Sequence, residues 1–187
     1  METRTIFFIG KPGCGKGTQA KLLSEKTGWK VISAGNEFRS IAAEDSAVGL
    51  KVKAEMDSGG LPPHWFAMYL YLKALFSIGD DGVIFDGFNR KVPEAQLCID
   101  SLKWLNRPFT ILNIAVSDEE VHQRLALRKK VESRVDDNVV DERLKNYLEL
   151  TEPAIEVFRK AGTLIEINGE QTPEQIAADV NAALGIA

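Results

Sequence analysis

The stretch FFIGKPGCGKGTQAKLL, residues 7–23, runs from an aromatic and β-branched segment through a glycine-rich loop into a sequence of good helix formers. Gly10, four further residues, then Gly15 and Lys16 have the spacing of a phosphate-binding loop, whose backbone N–H groups converge on phosphate oxygens where a helix begins. Gly13 and Gly17 let the backbone approach the anion closely, and Lys16 brings a mobile positive charge. The residue after Lys16 is Gly17, where the common pattern has Ser or Thr, and the hydroxyl follows one position later as Thr18. Cys14 reads as a small filler in the loop, the alternative being a thiolate favoured by Lys16 and the helix end.

Working outward, short apolar runs alternate with longer helical patterns. TIFFIG (5–10), KVIS (30–33), GVIFD (82–86), FTILNIAV (109–116) and TLIEI (163–167) predict strands buried on both faces. Helices are expected over about 16–27, 36–57, 63–78, 93–105, 118–129, 139–160 and 173–184. This alternation predicts an α/β three-layer sandwich around a five-stranded parallel sheet. Residues 34–81 are more than one crossover helix needs, which suggests a helical lobe inserted over the carboxyl edge of the sheet. RKKVESRVDDN, residues 128–138, reads as a short charged loop.

Composition narrows the functional classes. At 187 residues and 44% apolar content the chain is expected to be one domain, and a net charge of −4 offers no global basic field for nucleic acid or an anionic membrane surface. The N-terminal apolar run is too short for a secretory signal, and no 18-residue apolar span follows. Cys14 and Cys98 lie far apart and outside any metal-ligand spacing, which argues against a disulfide framework and against zinc. A cytoplasmic protein is expected.

GKPGCGKGTQ, residues 10–19, resembles the Gly-x-Pro-Gly-x-Gly-Lys-Gly-Thr-Gln loop of the adenylate kinase family, the nucleoside monophosphate kinases, in which Gly follows the Lys. The resemblance extends over nearly the whole chain. It implies a P-loop kinase fold, residues 1–187 forming one domain with an acceptor lobe at about 34–63 and a short lid at about 128–137, and Mg2+-dependent transfer of the ATP γ-phosphoryl group to a nucleoside monophosphate. ATP contacts fall by resemblance on Gly13, Cys14, Gly15, Lys16, Gly17, Thr18, Arg128 and, through its backbone, Gln171. VISAGNEFR places Ala34 and Arg39 at the acceptor, KAEMDSGGLPP adds Gly60, Leu61 and Pro62, and GVIFDGFNRKVPEAQ adds Gly87, Arg90 and Glu94. Asp86 falls near the magnesium-bound waters, and Lys16, Arg90, Arg128, Arg134 and Arg143 are the candidate catalytic cations.

The chemistry agrees with such a set. Phosphoryl transfer asks for positioning and for positive charge around the equatorial oxygens rather than for a covalent nucleophile, and Arg suits bidentate phosphate contacts. A lid that excludes water favours transfer to a nucleotide; the adenylate kinase lid is a standard example of such closure. Asp136 and Asp137 read as helix caps and partners of lid arginines rather than as catalytic acids. The expected partners are ATP and a nucleoside monophosphate, with no nucleic acid, no membrane and no zinc, in a monomer.

Departures from the family pattern fall at the acceptor. Ala34 stands where adenylate kinases typically have Thr and resembles the UMP/CMP kinase branch; Asn36 replaces Asp and Asn89 replaces Pro. Glu94 stands in place of an adenine-reading Gln, and an ionised carboxylate only accepts hydrogen bonds where an amide also donates. Gln96 lies about 200° around a helix from Glu94 and does not simply substitute for it. AMP is the first expectation as acceptor, with CMP or UMP as the alternative and a binding-only relative or an ATPase as further classes. His64 is expected at an exposed helix start, and WFAMYLYLKALF, residues 65–76, in the core.

Overall fold

Strand β1, Thr5–Ile9, is buried along its whole length. Phe7 and Ile9 enter the hydrophobic cluster on one face of the sheet, while Ile6 and Phe8 enter the cluster on the other. A strand apolar on both faces has to lie inside a sheet covered on both sides, and β1 does. The computed structural model describes residues 3–131 and 139–186, apart from the side chains of residues 130 and 131. Within it β2 (Lys30–Ser33), β3 (Val83–Asp86), β4 (Phe109–Ala115) and β5 (Leu164–Asn168) complete a parallel sheet in the order β2-β3-β1-β4-β5. Phe7 pairs in register with Phe85 on one side and Ile111 on the other.

Helices α1 (Lys16–Thr27), α6 (Asp118–Val131) and α9 (Pro173–Leu184) cover one face through Leu23, Leu125 and Ile176. Helices α4 (His64–Ser77), α5 (Val92–Trp104) and α8 (Glu152–Lys160) cover the other through Tyr71, Leu102 and Phe158. There Phe7 stacks on Phe85 with centroids 4.9 Å apart, and Tyr71 meets Phe85 edge-on at 5.2 Å, the offset and edge geometries aromatic quadrupoles favour. This is the three-layer P-loop kinase arrangement. The chain leaves β1 toward β2 on one side, then crosses from β3 to β4 on the other, so the carboxyl end of β1 is the topological switch point where α/β sheets bind ligands.

Three expectations are corrected. Residues 36–57 are two helices, α2 (Ala34–Ala42) and α3 (Ala47–Asp57), because Ser46 caps α3, its Oγ accepting the Gly49 N–H at 2.9 Å. The helices close so tightly there that a Cβ on Gly49 would lie 2.3 Å from Glu44 O. The expected 139–160 helix runs without interruption from Val140 to Lys160, but as α7 (Val140–Asn146), a π turn (Tyr147–Thr151) and α8 rather than as one α-helix. Pro153, in the first turn of α8, has no N–H to return to the preceding turn, which leaves room for the wider π geometry. The 65–76 stripe is core on one side only: α4 buries Met68, Leu70, Tyr71 and Leu75, but Trp65, Tyr69 and Phe76 are 65%, 57% and 61% exposed. A helix packed on one face of a sheet leaves its outer side to water, and those three positions share it. His64 starts α4 and is exposed.

Candidate active site

The loop after β1 has the shape its glycines predict. At Gly10, φ 140, a Cβ would lie 2.7 Å from Ile114 O, and at Gly13, φ 77, it would lie 2.9 Å from Leu125 Cγ. α1 starts at Lys16 with Gly15 as N-cap and no capping side chain, so its first-turn N–H groups face whatever anion the loop holds. Lys16 Nζ donates to Gly10 O at 2.9 Å, to Lys11 O at 2.7 Å and to Cys14 Sγ at 3.4 Å. Burial, ahead of the neighbouring charge of Arg90, pushes the Lys16 ammonium below its ordinary value, so an incoming anion gains a poorly solvated partner.

This loop lines one end of a cleft of about 1020 Å³, through Gly13, Gly15, Lys16, Gly17 and Thr18. The same cleft is lined by Ala34, Arg39, Gly60, Leu61 and Pro62, and by Asp86, Gly87, Arg90 and Glu94. α6 contributes Arg128 and α7 contributes Arg143. Five of the six cations expected from the sequence therefore meet in one cleft: Lys16, Arg39, Arg90, Arg128 and Arg143. Arg134 lies outside the described residues, as do Asp136 and Asp137 and most of the segment expected as a lid.

Two candidates are not among the residues that line the cleft. The Cys14 side chain is fully buried and does not line the cleft, so a contact from this residue would come from its backbone. Gln171 does not line it either; its amide donates to Asn168 O at 3.1 Å and to Asp179 Oδ2 at 2.8 Å, which turns the side chain along α9.

The wall residues are held by hydrogen bonds to backbone and to neighbouring side chains. Arg90 Nε donates to Gly87 O at 2.7 Å, which folds the guanidinium over Gly87. Ser33 Oγ, at the end of β2, donates to Asp86 Oδ2 at 3.0 Å, and a Cβ on Gly17 would lie 3.7 Å from that oxygen, so the carboxylate sits at the edge of the loop. Arg39 donates to Asn36 Oδ1 at 2.5 Å. Asn89 adopts φ 62, a left-handed conformation that proline's ring forbids and Asn tolerates, which accounts for the residue at this turn. Glu94 is 3% exposed and occupies the third position of α5, where its Oε2 accepts the Arg90 N–H at 2.7 Å. It therefore ties the first turn of α5 back to the Arg90 backbone as well as facing the cleft, and burial pushes its carboxyl above the ordinary carboxylate value against the opposing pull of Arg90 and Lys91.

Residues 8–163 match the model of the family described as adenylate kinase. The chain belongs to the adenylate kinase family. Among its relatives are the adenylate kinases of Thermus thermophilus, 35% identical over 187 residues covering 98% of each chain, and of Maricaulis maris, 37% identical over 185 residues covering 96% of this chain and 97% of the relative. The adenylate kinase of Archaeoglobus fulgidus is 31% identical over 210 residues, covering 96% of this chain and 97% of the relative. As a member of the adenylate kinase family this chain is a phosphotransferase that uses nucleotides.

The adenylate kinase frame brings out a cation that the sequence reading passed over. Arg124 lines the cleft; its Nη1 donates to Cys14 O at 3.2 Å, its Nη2 to Gly169 O at 2.7 Å and its Nε to Glu120 Oε1 at 2.6 Å. One guanidinium thus ties the phosphate loop to the loop after β5, beside Gly15. The signal was its place four residues before Arg128, a spacing that puts both on one face of α6. Tyr147 and Thr151 of the π turn line the cleft as well, in keeping with the concentration of π turns at functional sites.

Proposed function

We propose that the chain transfers the γ-phosphoryl group of ATP to AMP, giving two ADP, with the donor on the loop after β1 and the acceptor against α2 and the 59–62 turn. The carrying observation is one cleft lined together by the phosphate loop, by the α2 and 59–62 segments, and by Lys16, Arg90, Arg128 and Arg143. Such an arrangement sets two anionic substrates in line and neutralises charge on the transferring group, which is what phosphoryl transfer requires of a protein. Residues 34–63 form the acceptor lobe in this reading, and 128–137 the short lid, entered through Arg128.

Asp86 and Thr18 both line the cleft near the phosphate loop and offer the hard oxygen donors magnesium prefers. Bound with ATP, the ion would offset the charge of the phosphates; Asp86, steadied by the Ser33 hydroxyl, would help to hold it. Residues Lys16 and Arg90 then bind and orient phosphate oxygens without moving a proton. The protein is taken to act as a cytoplasmic monomer; among the described residues no helix is long and apolar enough to cross a membrane.

Turnover of ATP with AMP, CMP, UMP and GMP tests the reading. AMP is expected to be the best acceptor. CMP or UMP as the preferred substrate would overturn it in favour of the acceptor-only behaviour of an ionised Glu94, and rapid ATP loss without any acceptor would indicate hydrolysis.

A further inference from the structure

The far end of the cleft is bounded by the turn between α3 and α4, and its carbonyls are held from outside the turn. Local bonds secure its entry, Gly59 N–H to Met56 O at 3.0 Å and Gly60 N–H to Glu55 O at 2.9 Å, and Phe66 N–H to Pro63 O at 2.9 Å starts α4. Between these, Lys91 Nζ donates to Leu61 O at 3.2 Å and to Pro62 O at 3.0 Å. On the other side Asn146 Nδ2, at the end of α7, donates to Gly59 O at 3.2 Å. Gly59, φ 78, lies so close to α7 that a Cβ would be 2.9 Å from Val139 Cγ2 and 3.3 Å from Arg143 Cγ.

We propose that Lys91 is a positioning residue for the acceptor, locking the Gly59–Pro62 turn to the loop that carries Arg90 and to the start of α5 that carries Glu94. Lys91 follows Arg90 directly, so its ammonium joins the wall that meets the acceptor to the segment that presents Arg90. Two charge-assisted donors on two successive carbonyls fix both the height and the tilt of the turn, which one neutral bond would not. Asn146 ties the same turn to the helix of Arg143, so wall, Arg90 and Arg143 keep one relative placement. Lys91 does this without lining the cleft itself.

The inference rests on the acceptor site proposed above, and the test separates the two. Lys91→Met keeps the aliphatic stem and removes the donors. The acceptor KM is expected to rise about tenfold, the scale of one lost charge-assisted hydrogen bond, with the ATP KM unchanged within about twofold. Lys91→Arg should recover most of the loss. Wild-type protein is run beside it with AMP and CMP, so a preference for CMP removes the AMP reading and leaves the Lys91 comparison to be made with CMP. Hydrogen exchange at the amides of residues 59–61 reads the same lock without turnover and should quicken in Lys91→Met. An unchanged acceptor KM, an equal rise in both KM values, failure of Lys91→Arg to restore the acceptor KM, or unchanged exchange at 59–61 would each overturn the proposal.

Discussion

Replacing Gly87 by alanine is expected to disable Arg90 while leaving the fold intact. Gly87 begins the segment after β3 at φ 74, and its N–H is bonded to Phe8 O at 3.2 Å, so the segment stays where it is. An L side chain at that φ costs about 1–2 kcal/mol. For a chain of 187 residues this lowers Tm by about 2–8 °C. The larger effect is local, because the new Cβ would lie 2.7 Å from Arg90 Nη2. The guanidinium is the flexible end of its side chain and yields cheaply, but it has to retreat by about 1 Å, a displacement worth about 100-fold in rate when it occurs at a reacting group. Initial rates of ADP formation, with Tm from thermal unfolding, separate the two effects. Because Gly87→Ala acts through Arg90, adding it to Arg90→Ala should cost nothing more in rate. The reasoning is refuted if Gly87→Ala keeps its rate within about threefold of wild type, or if the double variant loses the product of the two single losses.

Lys16→Met is expected to lower kcat by about 10²–10³-fold with an unchanged circular dichroism spectrum, since it removes a donor to the developing phosphoryl charge and leaves the core alone; a smaller loss would place Lys16 outside the reaction. Glu94→Gln tests the buried carboxylate. Its raised folded value means the fold binds the proton more tightly than the unfolded chain, so its stability contribution is complete below the ordinary carboxylate value and is lost as pH rises through the folded one. The amide does not titrate and its oxygen still accepts the Arg90 N–H, so the variant should gain Tm over wild type at about pH 7 but not at about pH 4, and its preference for AMP should increase. A Tm difference independent of pH would refute this.

Much of the fold was legible because it is written in short windows. β1, the loop and the start of α1 were recognisable from residues 5–27, since strand burial, glycine conformations and helix propensity are local properties. The break between α2 and α3 was encoded at Ser46, a capping residue hidden inside a plausible helical run. The π turn before Pro153 was not legible, because a proline near a helix start fits either a new helix or a distorted continuation.

The sequence by itself determined the phosphate loop, the five apolar strand segments and the kind of cations the chemistry needs, because glycine spacing, apolar runs and residue type are properties of short windows. The tertiary structure alone decided which cations meet. Arg39, Arg90 and Arg143 are separated by many tens of residues and share a cleft only because the order β2-β3-β1-β4 brings the segments that follow β2, β3 and β4 to one sheet edge. It also decided that Glu94 accepts the Arg90 N–H, that Gln171 turns toward α9, and that Lys91 and Asn146 hold the 59–62 turn. A side chain's partners depend on what the sheet order places beside it, and spacing along the chain does not carry that order.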